Sequence, residues 1–152
     1  MLVDVNLLLY AVDSQSPHHR DASQWLGEQL AGTRRVGIPW AALTAFVRLT
    51  THQRVTTECL DPSTAWAQVE GWLACDAVWI PQPTERHAAI LGDLVRRHHV
   101  RGNLVGDAHL AALAIEHGLT VYSADTDFAR FTEIRWVNPI APPPKEAGRH
   151  AR

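Results

Sequence analysis

Short apolar runs alternate with longer runs of helical period along the chain, and this alternation restricts the fold more than any other feature. Leu2–Val5, Arg35–Ile38, Val78–Ile80, Thr120–Ser123 and Arg135–Val137 read as strands. Leu7–Val12 reads as a short helix capped by Asn6. A second helix follows Pro17, repeats Ala22, Trp25, Leu26 and Leu30 on one face, and stops at Gly32. Pro39 opens a third, with Leu43, Phe46, Val47 and Thr50 on its apolar face. Asp61-Pro62 supplies a cap and first turn for a fourth, which carries Ala65, Val69, Trp72 and Leu73. Arg86–Arg97 turns Ala88, Leu91, Leu94 and Val95 inward. Asn103 caps Leu104–His117, and Gly118 ends that helix. Strands separated by helices pair in parallel and are covered on both faces. The expected fold is therefore α/β with three layers, one domain over residues 1–138 and a disordered tail over 139–152.

In such sheets ligands bind outside the carboxyl ends of the strands, where strand order reverses. Asp4 ends the first strand, and Asp125 and Asp127 follow the fourth. Asp107 lies in the first turn of the helix between them, where the helix dipole tolerates negative charge. If the first and fourth strands are neighbours, these carboxylates share one crevice. Crowded carboxylates repel and raise one another's pKa. A hard divalent cation with a preference for oxygen removes that conflict. The pattern predicts a magnesium-type site and phosphate chemistry.

Composition narrows the classes further. The 152 residues suit one core, and 46% apolar content is too high for disorder. A net charge of −2 excludes a generic basic nucleic-acid binder, so any such contact falls to local arginines. Arg48, Arg96, Arg97 and Arg101 are the candidates. Cys59 and Cys75 show no metal spacing and read as reduced, buried packing residues of a cytoplasmic protein. No signal peptide and no run of membrane-spanning length is expected. Six tryptophans exceed what one small core needs, and some are expected at a partner interface.

Three blocks carry a family resemblance: Leu2-Val3-Asp4-Val5-Asn6, Asp107-Ala-His-Leu-Ala-Ala-Leu-Ala-Ile-Glu-His-Gly118, and Ser123-Ala-Asp125-Thr-Asp127-Phe128. In this order and at this length the chain resembles the PIN domains, specifically the VapC-type ribonuclease toxins of prokaryotic toxin–antitoxin pairs. The resemblance spans residues 1–138. It implies a five-stranded parallel sheet and magnesium-dependent cleavage of single-stranded RNA, with transfer or ribosomal RNA as the target. Manganese would substitute, and products would carry a 5′-phosphate and a 3′-hydroxyl. It also implies inhibition by a VapB-type antitoxin, and a homodimer.

The expected roles follow. Asp4, Asp107 and Asp125 bind the metal or activate its water. Asn6 and Ser123 orient those carboxylates, and Asp127 caps the short helix at Phe128 or supports the ligands. One departure stands out. The second motif usually reads Glu-Phe-x-Arg, whereas this chain has Ala45-Phe46-Val47-Arg48. Glu116 lies too far along its helix to replace that acid, and Glu28 and Glu58 have no predictable place. A catalytically weakened scaffold that binds RNA or protein is the alternative.

Rival chemistries fit less well. Phosphoaspartate enzymes also place an acid after the first strand, but they rely on a lysine, and the only lysine here is Lys145. The pairs His18-His19 and His98-His99 match no zinc pattern. His109, two residues past Asp107, should face away from the acids.

Overall fold

A computed structural model describes residues 1–53 and 59–141. Glu58, Lys145 and the expected tail from 142 onward lie outside the described residues. The elements run β1 (Leu2–Val3), α1 (Val5–Val12), α2 (His19–Ala31), β2 (Val36–Gly37), α3 (Trp40–Thr50), α4 (Pro62–Leu73) and β3 (Val78–Trp79). They continue with α5 (His87–Arg97), α6 (Leu104–His117), β4 (Val121–Tyr122), a 3-10 turn (Thr126–Arg130) and β5 (Trp136–Val137).

All strand pairs are parallel, in the order β3-β2-β1-β4-β5. The chain builds outward from β1 to β3, then returns to β1's other side for β4 and β5. The switch point therefore lies between β1 and β4, as the acidic residues required. Leu2 is level with Gly37 on one side and Val121 on the other.

Two-residue strands make few ladder bonds, so packing must hold the sheet. The period of two does this. Leu2 enters one core with Leu94, Ala111, Leu113 and Phe128, while Val3 enters the opposite core with Leu7, Leu43, Phe46 and Trp72. Both β1 residues are fully buried, each worth about 1.5–3 kcal/mol of hydrophobic transfer.

Several local details depart from expectation. α1 starts at Val5, and its cap is Asp4 rather than Asn6: Asp4 Oδ1 accepts the Val5 N–H at 2.7 Å. Asn103 sits at the start of α6 in helical conformation and makes no side-chain cap bond. In α5 Ala88 is exposed, and Ile90 packs inward with Leu91, Leu94 and Val95. Cys59 is exposed and Cys75 half-buried, so neither is the buried packing residue expected. Beyond residue 138, Ile140 packs against the α1–α4 core.

Other details follow the sequence closely. Asp61 caps α4 through the Ser63 and Thr64 amides, with Pro62 in the first turn. Gly118 ends α6 in the left-handed region at φ 62°. Trp72 meets Phe46 edge-on at 4.8 Å, and Trp25 stacks on Tyr122 at 5.5 Å. Trp40 and Trp66 remain exposed. No helix among the described residues is long and apolar enough to cross a membrane.

Gly37 lies where β2 passes under the residues after β3. A Cβ there would sit 2.8 Å from Pro81 Cγ and 2.9 Å from the Met1 carbonyl oxygen. Gly27, on the exposed face of α2, has open space around it. Gly37→Ala is expected to lower unfolding stability by about 1–3 kcal/mol, and Gly27→Ala to raise it by about 0.5–1 kcal/mol. Urea midpoints at constant slope would check both. Equal midpoints for the two variants would refute the close approach at Gly37.

Candidate active site

The site begins with the end of β1. Asp4 is buried, and both its oxygens are engaged. Oδ1 takes the Val5 amide; Oδ2 accepts from Ser123 Oγ at 2.7 Å and from Asn6 Nδ2 at 3.0 Å. Asn6 Nδ2 also approaches Ser123 Oγ at 2.9 Å, and Asn6 Oδ1 accepts from the Ala124 amide at 3.1 Å. The Asp125 amide donates to Ser123 Oγ at 3.0 Å. Asn6 and Ser123 thus join the ends of β1 and β4 and fix the backbone that presents Asp125.

Asp125 is the cap of the 3-10 turn, accepting the Asp127 amide at 2.8 Å. The cap role expected of Asp127 therefore belongs to Asp125. The tight turn folds the chain back, and the two carboxylates converge with that of Asp107 from the first turn of α6. One oxygen from each of Asp107, Asp125 and Asp127 lies within 4.8 Å of the others. The sequence assigned the metal to Asp4, Asp107 and Asp125 and a supporting role to Asp127; the geometry sets Asp127 in the open cluster and leaves Asp4 hydrogen-bonded within the protein.

The electrostatics match this crowding. Burial pushes the Asp107 carboxyl up to about 6, and the charges of Asp4, Asp125 and Asp127 push in the same direction. Arg130 opposes them, and its guanidinium lies 3.7 Å from Asp127. Burial also raises Asp4, against the hydrogen bonds from Ser123 and Val5 that favour its charged form. Arg130 was not among the arginines picked out by sequence, although its i,i+3 spacing from Asp127 was a readable signal.

The remaining candidates lie apart from the cluster's hydrogen bonds. Arg97 is held by Asp93 at 2.8 Å and Glu133 at 3.2 Å, which occupies it in ion pairs. Arg48, Arg96 and Arg101 are exposed. Ala45 is half-buried on α3. Glu116 accepts from Thr84 and His87, and His87 Nε2 meets His109 Nδ1 at 3.0 Å. His109 and Glu116 therefore clasp α5 to α6.

An oxygen-only donor set with mutual repulsion, with Arg130 beside it, fits a hard divalent cation. It offers neither imidazole nor thiolate for zinc. Asp107, Asp125 and Asp127 are the residues with open oxygens to hold such an ion.

Comparison with known proteins agrees with this architecture. The family model described as PIN domain matches residues 1–134. The chain is 45% identical over 140 residues to Ribonuclease VapC37 of Mycobacterium tuberculosis, covering 92% of this chain and 97% of that protein. It is 36% identical over 140 residues to Ribonuclease VapC33 of the same species, covering 92% and 98%. Among solved structures, M. tuberculosis VapC20, described as a sarcin-ricin loop cleaving toxin, superposes with a TM-score of 0.66 at 18% identity, over 88% of this chain and 98% of that one. VapBC2 from Rickettsia felis, bound to a DNA fragment from its promoter, superposes with a TM-score of 0.65 at 14% identity, over 90% and 96%. The switch-point acids, the parallel sheet and this kinship together make the chain a member of the PIN domain family, on its VapC branch.

Proposed function

We propose that this protein is the toxin of a toxin–antitoxin pair, a metal-dependent endoribonuclease that hydrolyses single-stranded regions of RNA. The observation that carries the reading is the convergence of Asp107, Asp125 and Asp127 at the β1–β4 switch point. Relatives named ribonucleases cover nearly the whole chain. Magnesium is the proposed ion, with manganese as a substitute, because the donors are all oxygen. Once bound, it would polarise the scissile phosphate and lower the pKa of a water.

The protein's own groups do the rest. In the metal-free protein burial pushes the Asp107 carboxyl up to about 6, and a bound cation would hold it ionised as a ligand. Asp4, held by Ser123, Asn6 and Val5, keeps β1 and β4 in register beneath the cluster and adds negative charge to it. Asn6 and Ser123 orient Asp4 and the Asp125 backbone. The substrate reading extends to transfer or ribosomal RNA. A VapB-type antitoxin is the proposed partner, supported by the VapBC complexes among the structural neighbours. A homodimer in the cytoplasm completes the proposal, the free cysteines being consistent with a reducing compartment.

Ala45 favours a second reading. Where the motif usually carries glutamate, this chain has a methyl group, so the cluster has one acid fewer and the protein is a weakened scaffold. Cleavage of a panel of structured RNAs by partner-free protein, with magnesium, manganese or chelator, separates the two. Metal-dependent cuts leaving 5′-phosphates support the nuclease; metal binding without cuts supports the scaffold.

Asp4→Asn should fold and lose on the order of a hundredfold in cleavage. Asp127→Asn should weaken magnesium binding by calorimetry more than Asp4→Asn does, because Asp127 belongs to the open cluster whereas both Asp4 oxygens are hydrogen-bonded within the protein. The reverse order would return Asp4 to the ligand set. Ala45→Glu should tighten magnesium binding; unchanged affinity would mean that position 45 does not reach the ion.

Asp107 also makes stability depend on pH. The folded chain keeps its proton up to about 6, while the unfolded chain releases it near 3.8. Between those values the folded state binds more proton, so metal-free stability should fall as pH rises through this window. Asp4, also raised, acts in the same direction. The difference in urea midpoint between wild type and Asp107→Asn, followed from pH 4 to 7, isolates the effect. A flat difference would contradict the raised pKa.

A further inference from the structure

Three large apolar side chains stand exposed among the described residues: Trp40 at 40%, Trp66 at 43% and Val105 at 48%. Trp40 has a particular place in the topology. It is the first residue of α3, directly after β2, and so lies at the carboxyl end of the sheet. Leu2 is level with Gly37 across the β1–β2 pair. Counting forward from that register, Asp4 and Pro39 come level at the ends of their strands, about 4.8 Å apart by ordinary strand spacing. Both residues cap helices there, Asp4 for α1 and Pro39 for α3. Trp40 is one step beyond, on the β2 side of the same end that carries Asp4, Asp107 and Asp125. Pro39 is buried and Ala42, Leu43 and Phe46 are core residues, so the start of α3 is fixed while its first side chain is left in solvent.

The charge balance gives this exposed indole a task. The net charge is −2, and among the described residues Arg130 is the arginine that acts on Asp107, against the charges of Asp4, Asp125 and Asp127. At the cluster itself the carboxylates oppose phosphate binding, and release of counterions, the usual source of nucleic-acid affinity, is left to exposed arginines such as Arg48, Arg96 and Arg101. Single-stranded RNA offers another source, because its unpaired bases stack on aromatic side chains. Stacking is neutral and does not add to the acidic repulsion.

We infer that Trp40 is a base-stacking platform for single-stranded RNA: an unpaired base lies on its indole while a neighbouring phosphodiester lies at the acidic cluster. This rests on the ribonuclease reading and adds to it a residue that binds substrate without touching the reacting phosphate. Position, rather than exposure alone, separates Trp40 from Trp66, which lies within α4.

The test is steady-state cleavage of a short unstructured RNA with magnesium by wild type, Trp40→Ala and Trp40→Phe. Trp40→Ala should raise KM about tenfold, the usual scale for one stacked base, and leave kcat within about a factor of two. Trp40→Phe keeps a π-face and should stay within about threefold of wild type. Replacing each base in turn by an abasic site should raise KM of wild type at one position, and Trp40→Ala should be indifferent there. The Ala-to-wild-type KM ratio should hold between low and high salt, which a lost phosphate contact would not allow.

An unchanged KM in Trp40→Ala, or Phe as damaging as Ala, would overturn the inference. So would a change of oligomer mass by light scattering in Trp40→Ala, which would assign Trp40 to a protein interface. Wild type that neither cuts nor binds any RNA would remove the ribonuclease reading and the stacking with it. That outcome is recognisable because it needs no variant.

Discussion

The site end of the sheet depends on one knot of hydrogen bonds, in which Asp4, Asn6 and Ser123 fasten the end of β1 to the end of β4. Each of these strands is two residues long, too short for its own ladder to define where it ends. The knot supplies what the ladder lacks. One Asp4 oxygen starts α1 and the other reaches Ser123, so a single carboxylate sets both the local turn and a contact 119 residues away in sequence. Burying that charge is unfavourable, and three donors offset the cost. Asp125 inherits its position from the same knot through its amide bond to Ser123.

Much of this was legible in the sequence. The order of apolar runs, the Asp61-Pro62 start and the Gly118 stop each act locally, through φ/ψ preference or a nearby amide, and each appears where it was read. The switch point was legible because helical crossovers leave a parallel sheet few topologies. What escaped was the outcome of competition between neighbours. Asn6 and Asp4 are both good caps, and Asp4 prevails because Val3 ends the strand and Asn6 is needed by Ser123 and Ala124. In an extended chain Asp125 and Asp127 would share a face but stand about 7 Å apart; the 3-10 turn brings an oxygen of each within 4.8 Å. On α5 the larger Ile90, four residues before Leu94, takes the inward place and Ala88 is left exposed.

The α5–α6 pair shows how titratable residues near a site can be structural. Glu116 accepts from the Thr84 amide and hydroxyl at 2.8 and 2.6 Å, and meets His87 Nδ1 at 2.6 Å. With His87 donating to Glu116, its Nε2 is left to accept from His109 Nδ1. Burial pushes Glu116 up, but these hydrogen bonds outweigh it and hold the carboxyl below its ordinary value. The clasp orders α6 along its length, and Asp107 belongs to the first turn of that helix.

The pairing of β1 with β4 has a consequence for synthesis. β1 leaves the ribosome first, yet its partner on the site side, Val121–Tyr122, comes some 120 residues later. Chains emerge at about 5–20 residues per second, so Asp4 waits several seconds for Ser123, and the cluster gains Asp125 and Asp127 later still. A nascent or truncated chain that already holds Asp4 and Asp107 lacks two of the three open carboxylates. The topology therefore acts as a built-in delay, arming the acidic site only when nearly all of the described fold has been made.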